Sequence, residues 1–297
     1  MSENKVIIIA GPTAVGKTAL SLDLAKKYDG EIINGDSQQV YRQVSIGTAK
    51  ATAEEQATAV HHLIDVRDVA ERFSAHDFVL EANRLIADLL SRGKLPIIVG
   101  GTGLYLQSLV EGYHLGGADN HEQMRELRSK LDKLTDDELL AKVAENGLSI
   151  SQINRRRAIR ALEISEFGEQ LENQKSAYDF LIVGLNTDRK VLYERINNRV
   201  DMMMSAGLLD EAKMLYDTFL ESQVARAIGY KEFFPYFDGQ IPLAQAVEMV
   251  KQNSRRYSKR QITWFKNRMA VDFSDVFAPN FKENIAQKIE RFLDDKN

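Results

Sequence analysis

The stretch that most constrains this chain is GPTAVGKT, residues 11–18, because of what flanks it. Before it runs KVIIIA, residues 5–10, a continuous β-branched segment suited to a strand buried on both faces. After it comes TALSLDLAKKY, residues 18–28, with leucines at helical spacing. Strand, glycine-rich turn and helix in that order make a phosphate-binding loop. Glycine lets several backbone N–H groups converge on one concavity, and the helix N-terminus adds about half a positive charge. Lys17 supplies a full charge, and the Thr18 hydroxyl is a ligand for magnesium. Gly11, Pro12, Thr13, Ala14, Val15, Gly16, Lys17 and Thr18 therefore form the candidate diphosphate- or nucleotide-binding site. The loop leaves the reaction open, since a kinase using ATP, an NTPase and an enzyme that expels diphosphate all grip the same group.

Two further strands follow, GEIINGDS at 30–37 and LPIIVGG at 95–101. The second of these comes after a helical pattern at 76–93 and opens another helix at 102–110. Such alternation predicts an α/β fold of the P-loop NTPase-like kind, a parallel sheet flanked by helices. From residue 116 the sequence turns charged and helix-forming, as in HEQMRELRSKLDKL, DDELLAKVAENG and RRRAIRALEISEFG, and predicts an all-helical insertion over 116–178. The strand-like DFLIVGLN at 179–186 returns the chain to the sheet, so that 1–115 and 179–297 form one core. The last third reads as helices.

Asp36 stands at the carboxyl end of the second strand, where open α/β sheets place their ligands. It can bind metal, act as a base on a second substrate, or cap its own turn. Cysteine is absent, which removes disulfides, thiolate metal sites and cysteine nucleophiles and suits a reducing compartment. The apolar run Val6–Ala10 is too short for a membrane span and lacks the flanks of a signal peptide, so a cytoplasmic protein without membrane association is expected.

Taken in order, GPTAVGKT (11–18), GDSQQVY (35–41), IGTAK (46–50), HHLID (61–65), VGGTGLY (99–105), RALE (160–163), RAIGYKE (226–232) and KRQITWF (259–265) resemble the tRNA dimethylallyltransferase family over nearly the whole chain. The resemblance implies transfer of a dimethylallyl group from dimethylallyl diphosphate to the exocyclic N6 amine of the adenosine just 3′ of a tRNA anticodon, with release of diphosphate. It implies Asp36 as the catalytic base, Thr102 beside the target adenosine, and Lys17 with magnesium on Thr18 against the leaving group. It places Asp36, Ser37, Gln38, Gln39, Thr102 and Arg125 on the tRNA, although the segment around Arg125 departs from the family's acidic-proline run. The chemistry suits these residues. An adenine amine is a very weak acid and a carboxylate has a pKa of about 4, so Asp36 accepts the proton only as the new C–N bond forms.

A net charge of −4 argues against adhesion of the whole molecule to polyanions and makes local basic surfaces informative. RRRAIR at 155–160 carries four basic residues, and KQNSRRYSKRQITWFKNR at 251–268 carries seven with no acid. On a helix Arg156, Arg157 and Arg160 share a face, as do Arg255, Lys259 and Lys266, with Arg256 and Arg260 on another stripe. Each cluster suits successive phosphates of an anticodon stem-loop or a solvated helix face. The first lacks the family's Asp-Pro lead. The resemblance adds Arg226, Lys231 and Gln261 to the tRNA set. Trp264 is either a stacking platform or a core residue. Arg195 and Arg199, four apart, either clamp diphosphate or lie on an exposed helix. His61 and His62 are read as structural, because adjacent side chains diverge and no third ligand is evident. The chain is expected to act as a monomer.

Overall fold

The computed structural model describes residues 4–113, 121–150, 154–167 and 176–295. The chain divides into two compact units, Met1–Val110 with Ser176–Asn297, and Glu111–Lys175.

In the larger unit the strands are β1 (Lys5–Ala10), β2 (Gly30–Asn34), β3 (His61–His62), β4 (Leu95–Gly100), β5 (Asp179–Asn186) and β6 (Phe273–Asp275). Among the described residues they form one parallel sheet in the order β3-β2-β4-β1-β5-β6. Its helices are α1 (Lys17–Lys27), α2 (Ala53–Thr58), α3 (Ala75–Ser91) and α4 (Gly103–Val110) before the insertion. The smaller unit holds α5 (His121–Leu131), α6 (Asp136–Glu145) and α7 (Arg155–Phe167). After it come α8 (Arg189–Ser205), α9 (Leu208–Thr218), α10 (Phe234–Phe237), α11 (Leu243–Arg268) and α12 (Phe281–Asp294).

Strand geometry explains why β1 is apolar at every position between Val6 and Ala10. Successive side chains point to opposite faces, and both faces are covered. Val6, Ile8 and Ala10 join one buried cluster with Ile33, Ile98, Leu106, Leu208 and Phe265. Ile7 and Ile9 join another with Leu20, Leu24, Leu192, Ile196 and Ile289. Asp188 starts α8 by accepting the N–H groups of Lys190 and Val191 at 2.8 and 3.2 Å.

Two strands escape the sequence pattern. β3 is two residues long and β6 three, too short for any periodicity, and β6 lies in the third of the chain that reads as helical. His61 and His62 are the residues of β3. His62 Nε2 lies 2.7 Å from Glu31 Oε2, whose carboxylate also takes Arg92 at 2.7 Å. The basic stretch 251–268 belongs to one continuous α11 of 26 residues. No helix among the described residues is long and apolar enough to cross a membrane.

The smaller unit buries Leu131, Leu139, Val143, Ala158, Ile159 and Leu162 in its own core. Beside that core Glu163, 2% exposed, receives Arg128 at 2.6 Å and Arg160 at 3.2 Å. Arg155 binds Asp136 and the Leu131 and Asp132 carbonyls.

Where β2 and β4 end, their backbones approach so closely that a Cβ at Gly100 would run into the Gly35 carbonyl. Gly100→Ala should therefore destabilise the larger unit by about 1–3 kcal/mol through overpacking against backbone. Urea unfolding of this variant beside Gly93→Ala, a turn position with φ +71° and open space around it, separates close approach from loss of a left-handed conformation.

Candidate active site

The loops after β1, β2 and β4 meet at the carboxyl edge of the sheet. Gln261 of α11 joins two of them: its Oε1 accepts the Thr13 N–H at 2.9 Å, and its Nε2 donates to the Gly101 carbonyl at 2.9 Å. Asp36 is fixed by its own turn. Asn34 Oδ1 accepts the Asp36 N–H at 3.0 Å, and Asp36 Oδ1 accepts the Gln38 N–H at 2.9 Å. Asn34 Nδ2 also donates to the carbonyls of Asp36 and Leu63, so the turn is tied to the segment after β3.

Three cations surround this carboxylate and the phosphate loop. Lys17 Nζ donates to the Gly11 and Pro12 carbonyls at 3.0 and 2.8 Å. Burial draws its pKa down to about 8, opposed by the charge of Asp36 and assisted by Arg199. From α8, Arg195 Nε donates to the Ala14 carbonyl at 2.8 Å and Arg199 Nη1 donates to Thr13 Oγ1 at 3.0 Å. Burial lowers the Arg199 pKa, while Asp36 raises it. Asp36 itself sits above the usual carboxylate range because burial outweighs the Gln38 N–H, Lys17 and Arg199. Of the two readings open for Arg195 and Arg199, the helix brings both guanidinium groups onto the loop.

Two cavities adjoin here. One of about 520 Å³ is lined by Thr13, Gly16, Lys17, Thr18, Arg195 and apolar Ile32, Ile64 and Val99. The other, of about 330 Å³, is lined by Ser37, Gln38, Arg226, Lys231 and Arg260. Thr13, Asp36, Thr48, Ala49, Arg199 and Tyr257 line both, so the cavities meet at Asp36. Gln39 faces the first cavity, and its Nε2 donates to the Thr48 and Ala49 carbonyls at 3.2 Å each. Gln38 faces the second with Nε2 donating to Ser37 Oγ at 3.1 Å, and its Oε1 is buried without a partner among the described residues.

Thr102 precedes α4, and its carbonyl accepts the Tyr105 N–H, but its side chain turns elsewhere. Thr102 Oγ1 accepts the Ser37 N–H at 3.0 Å, linking the β4 and β2 loops. Tyr257 lies near Thr102 and Gln261, and burial raises its pKa. The sequence reading passed over Tyr257 inside a stretch noticed for charge. The signal available was its place on α11, one turn from Gln261.

Two residues expected on RNA face inward instead. Gln261 is 4% exposed with both ends of its carboxamide engaged internally. Trp264 is partly buried, packed against Gly103 and the core. On the same helix Arg256, Lys259, Arg260 and Lys266 are exposed, whereas Arg255 is tied to Asn197 at 2.6 Å and Glu248 at 2.9 Å. Arg226 pairs with Glu221 at 2.7 Å at the surface. In the smaller unit Arg156 and Arg157 are exposed on α7, and Arg160 is bound to Glu163. Arg125 belongs to α5, and its side chain lies outside the described residues.

The residues suit magnesium without forming a protein cage for it. Among the described residues no cluster of three His, Cys, Asp or Glu could hold a metal. Thr18 and Asp36, hard oxygen donors, line the same cavity, and magnesium is commonly held by one or two protein oxygens with substrate phosphates and water completing its shell.

Comparison with known proteins adds three findings. Residues 39–268 match the family model for IPP transferase. The chain is 64% identical to a tRNA dimethylallyltransferase of Lactococcus lactis subsp. lactis, covering 99% of this chain and all of the relative. Among solved structures it resembles the tRNA isopentenylpyrophosphate transferase of Bacillus halodurans, with a TM-score of 0.74, 44% identity and coverage of 98% and 95% of the two chains. It also resembles a eukaryotic dimethylallyltransferase acting on tRNA, with a TM-score of 0.82, 30% identity and coverage of 99% and 80%.

With a pKa of about 8, Lys17 carries its proton at neutral pH and loses it in mild alkali. Binding of inorganic diphosphate should therefore weaken as pH rises from 7 to 9, with a proton taken up on binding above pH 8. In Lys17→Met the affinity at pH 7 should fall about 10- to 100-fold, as for loss of a charged hydrogen bond. That part of the pH dependence should vanish with it, as read by calorimetry in buffers of differing ionisation enthalpy.

Proposed function

We propose, from the premise that the chain belongs to the tRNA dimethylallyltransferase family, that it transfers a dimethylallyl group from dimethylallyl diphosphate to the N6 amine of the adenosine 3′-adjacent to a tRNA anticodon. The observation that carries this reading is the meeting of two cavities at Asp36, one walled by the phosphate loop and its cations and the other open beside basic residues. The diphosphate occupies the first, its oxygens facing the loop N–H groups, Lys17, Arg195 and Arg199. The adenosine enters the second.

In the transfer the allylic C–O bond breaks and its electron pair leaves with the diphosphate. The amine nitrogen forms the new C–N bond. Lys17, Arg195 and Arg199 stabilise the charge that grows on the departing oxygen. Magnesium, held by Thr18 and the diphosphate, would supply further charge neutralisation there. The Asp36 carboxylate orients the amine and takes its proton as the C–N bond completes. Lys17 and Arg199 favour its ionised form, while burial makes it a better base than an exposed aspartate. Thr102 acts on the same turn from the β4 side, its hydroxyl oxygen accepting the Ser37 N–H.

RNA contact falls to Ser37, Gln38 and Gln39 near the reacting base. Arg226, Lys231, Lys259, Arg260 and Lys266 serve its backbone, and in the smaller unit Arg156 and Arg157 do the same. Arg160 and the structurally engaged Gln261 and Trp264 support these surfaces, and Arg125 is assigned to the RNA by resemblance alone. The protein works as a monomer in the cytoplasm, where its RNA substrate resides.

The test is a two-substrate assay with dimethylallyl diphosphate, magnesium and an unmodified anticodon stem-loop, followed by mass analysis of the nucleosides. Only the adenosine 3′ of the anticodon should gain one dimethylallyl group. In Asp36→Asn the single-turnover rate should fall by about 100-fold or more, the range for removing a general base, with RNA affinity nearly unchanged. Transfer by Asp36→Asn at the wild-type rate would remove Asp36 from the base role.

A further inference from the structure

Residues 45–49 border the point where the two cavities meet, through Thr48 and Ala49, yet they belong to no helix or strand. Three of their N–H groups converge on a single side chain. Glu211, in the first turn of α9, receives the N–H groups of Ser45 at 2.7 Å, Ile46 at 3.0 Å and Gly47 at 2.8 Å. Three successive N–H groups converging on one anion make the kind of nest that binds phosphate elsewhere. Here the nest is filled by the protein's own carboxylate.

The other side of the carboxylate is occupied as well. Glu211 Oε1, which takes the Gly47 N–H, also accepts the Tyr230 hydroxyl at 2.7 Å. The buried Tyr230 ring lies against Gly47 so closely that a Cβ there would fall 2.6 Å from it. At the far end of the segment Gln39 holds the Thr48 and Ala49 carbonyls. Lys50, its side chain 3% exposed, donates to the Tyr41 carbonyl at 2.7 Å and to Asp65 at 2.6 Å.

We infer that Glu211, with its Oε1 held by Tyr230, is a positioning residue for the transfer, fixing residues 45–49 so that Thr48 and Ala49 shape the place where allyl carbon and amine come together. This rests on the prenyl-transfer reading above. Glu211 acts through the backbone of the segment and not on the substrates, since it lines neither cavity. The diphosphate grip is carried by other residues, so the two functions separate. Replacing the carboxylate with a carboxamide leaves one acceptor oxygen and sets an NH₂ donor against at least one of the three N–H groups, and the clasp opens.

The experiment compares wild type, Glu211→Gln, Tyr230→Phe and the double variant. It reads single-turnover transfer to an anticodon stem-loop, KM for RNA, Kd for inorganic diphosphate and thermal midpoint. Glu211→Gln should lower the transfer rate about 10- to 100-fold, the scale of an ångström's misplacement of reacting groups, with KM and the diphosphate Kd within about threefold of wild type. Tyr230→Phe, which keeps the ring on Gly47, should lose about threefold or more in the same step, the scale of one hydrogen bond. The double variant should lose no more than Glu211→Gln, since both act through one carboxylate. The inference is overturned if either folded variant transfers within twofold of wild type, or if the loss lies wholly in diphosphate affinity or in the folded fraction. Should Glu211→Gln fail to fold, Tyr230→Phe decides alone. A wild-type protein that transfers nothing overturns the prenyl-transfer reading itself, a result distinct from variants that match an active wild type.

Discussion

Hydrogen bonds pair Asn34 of β2 with Val99 of β4 and Ala10 of β1 with Gly100 of β4, so three strands end within a residue of one level. Parallel pairing then sends all three following loops out of the same edge, which is where open α/β sheets hold ligands. The phosphate loop, the Asp36 turn and the Thr102 turn meet because their strands are in register. A slip of one residue between β2 and β4 would do two kinds of damage. It would turn Ile33 out of its cluster, and it would carry Asp36 away from Lys17. The apolar packing that fixes the register thereby fixes the site.

Local charge at this edge differs in sign from the whole molecule. The chain carries a net charge of −4, yet Lys17, Arg195 and Arg199 gather on one loop with Asp36 as the nearby counter-charge. Burial disfavours both signs, lowering Lys17 and raising Asp36, and each partly offsets the penalty of the other. An arriving diphosphate brings the negative charge that these cations lack. Added negative charge beside the cations weakens their hold on the ionised form of Asp36. A single electrostatic arrangement thus ties the charge on the loop to the protonation of the carboxylate.

Much of this was readable in the sequence wherever the signal is local. The phosphate loop, Asp36 and the first, second, third and returning strands each declare themselves within ten residues. Three kinds of feature do not. β3 and β6 are shorter than any period, and they exist because a neighbouring strand offers them an edge. Gln261 lies 248 residues from Thr13 and 160 from Gly101, so its bridging of the two turns cannot be inferred from its neighbours. Glu211 looks like an acid in the first turn of an amphipathic helix, and the three N–H groups it holds lie more than 160 residues away. Residues whose role is local chemistry are legible, while residues that hold distant loops together become visible only in three dimensions.

Helix α11 shows how one element serves the core and the surface at once. Ala246, Val250, Ser258, Gln261 and Phe265 recur at three-, four- and eight-residue intervals and face inward, as helical geometry requires of one buried stripe. Arg256, Lys259, Arg260 and Lys266 occupy the intervening positions and remain exposed. Tyr257 stands at the boundary and lines both cavities. Because Gln261 joins the phosphate loop to the β4 turn, the orientation of this helix is set by the same contacts that set the reacting groups. The basic stripe is consequently presented at a fixed angle to Asp36. The charged surface and the buried site are coupled here by the 3.6-residue period of a single helix.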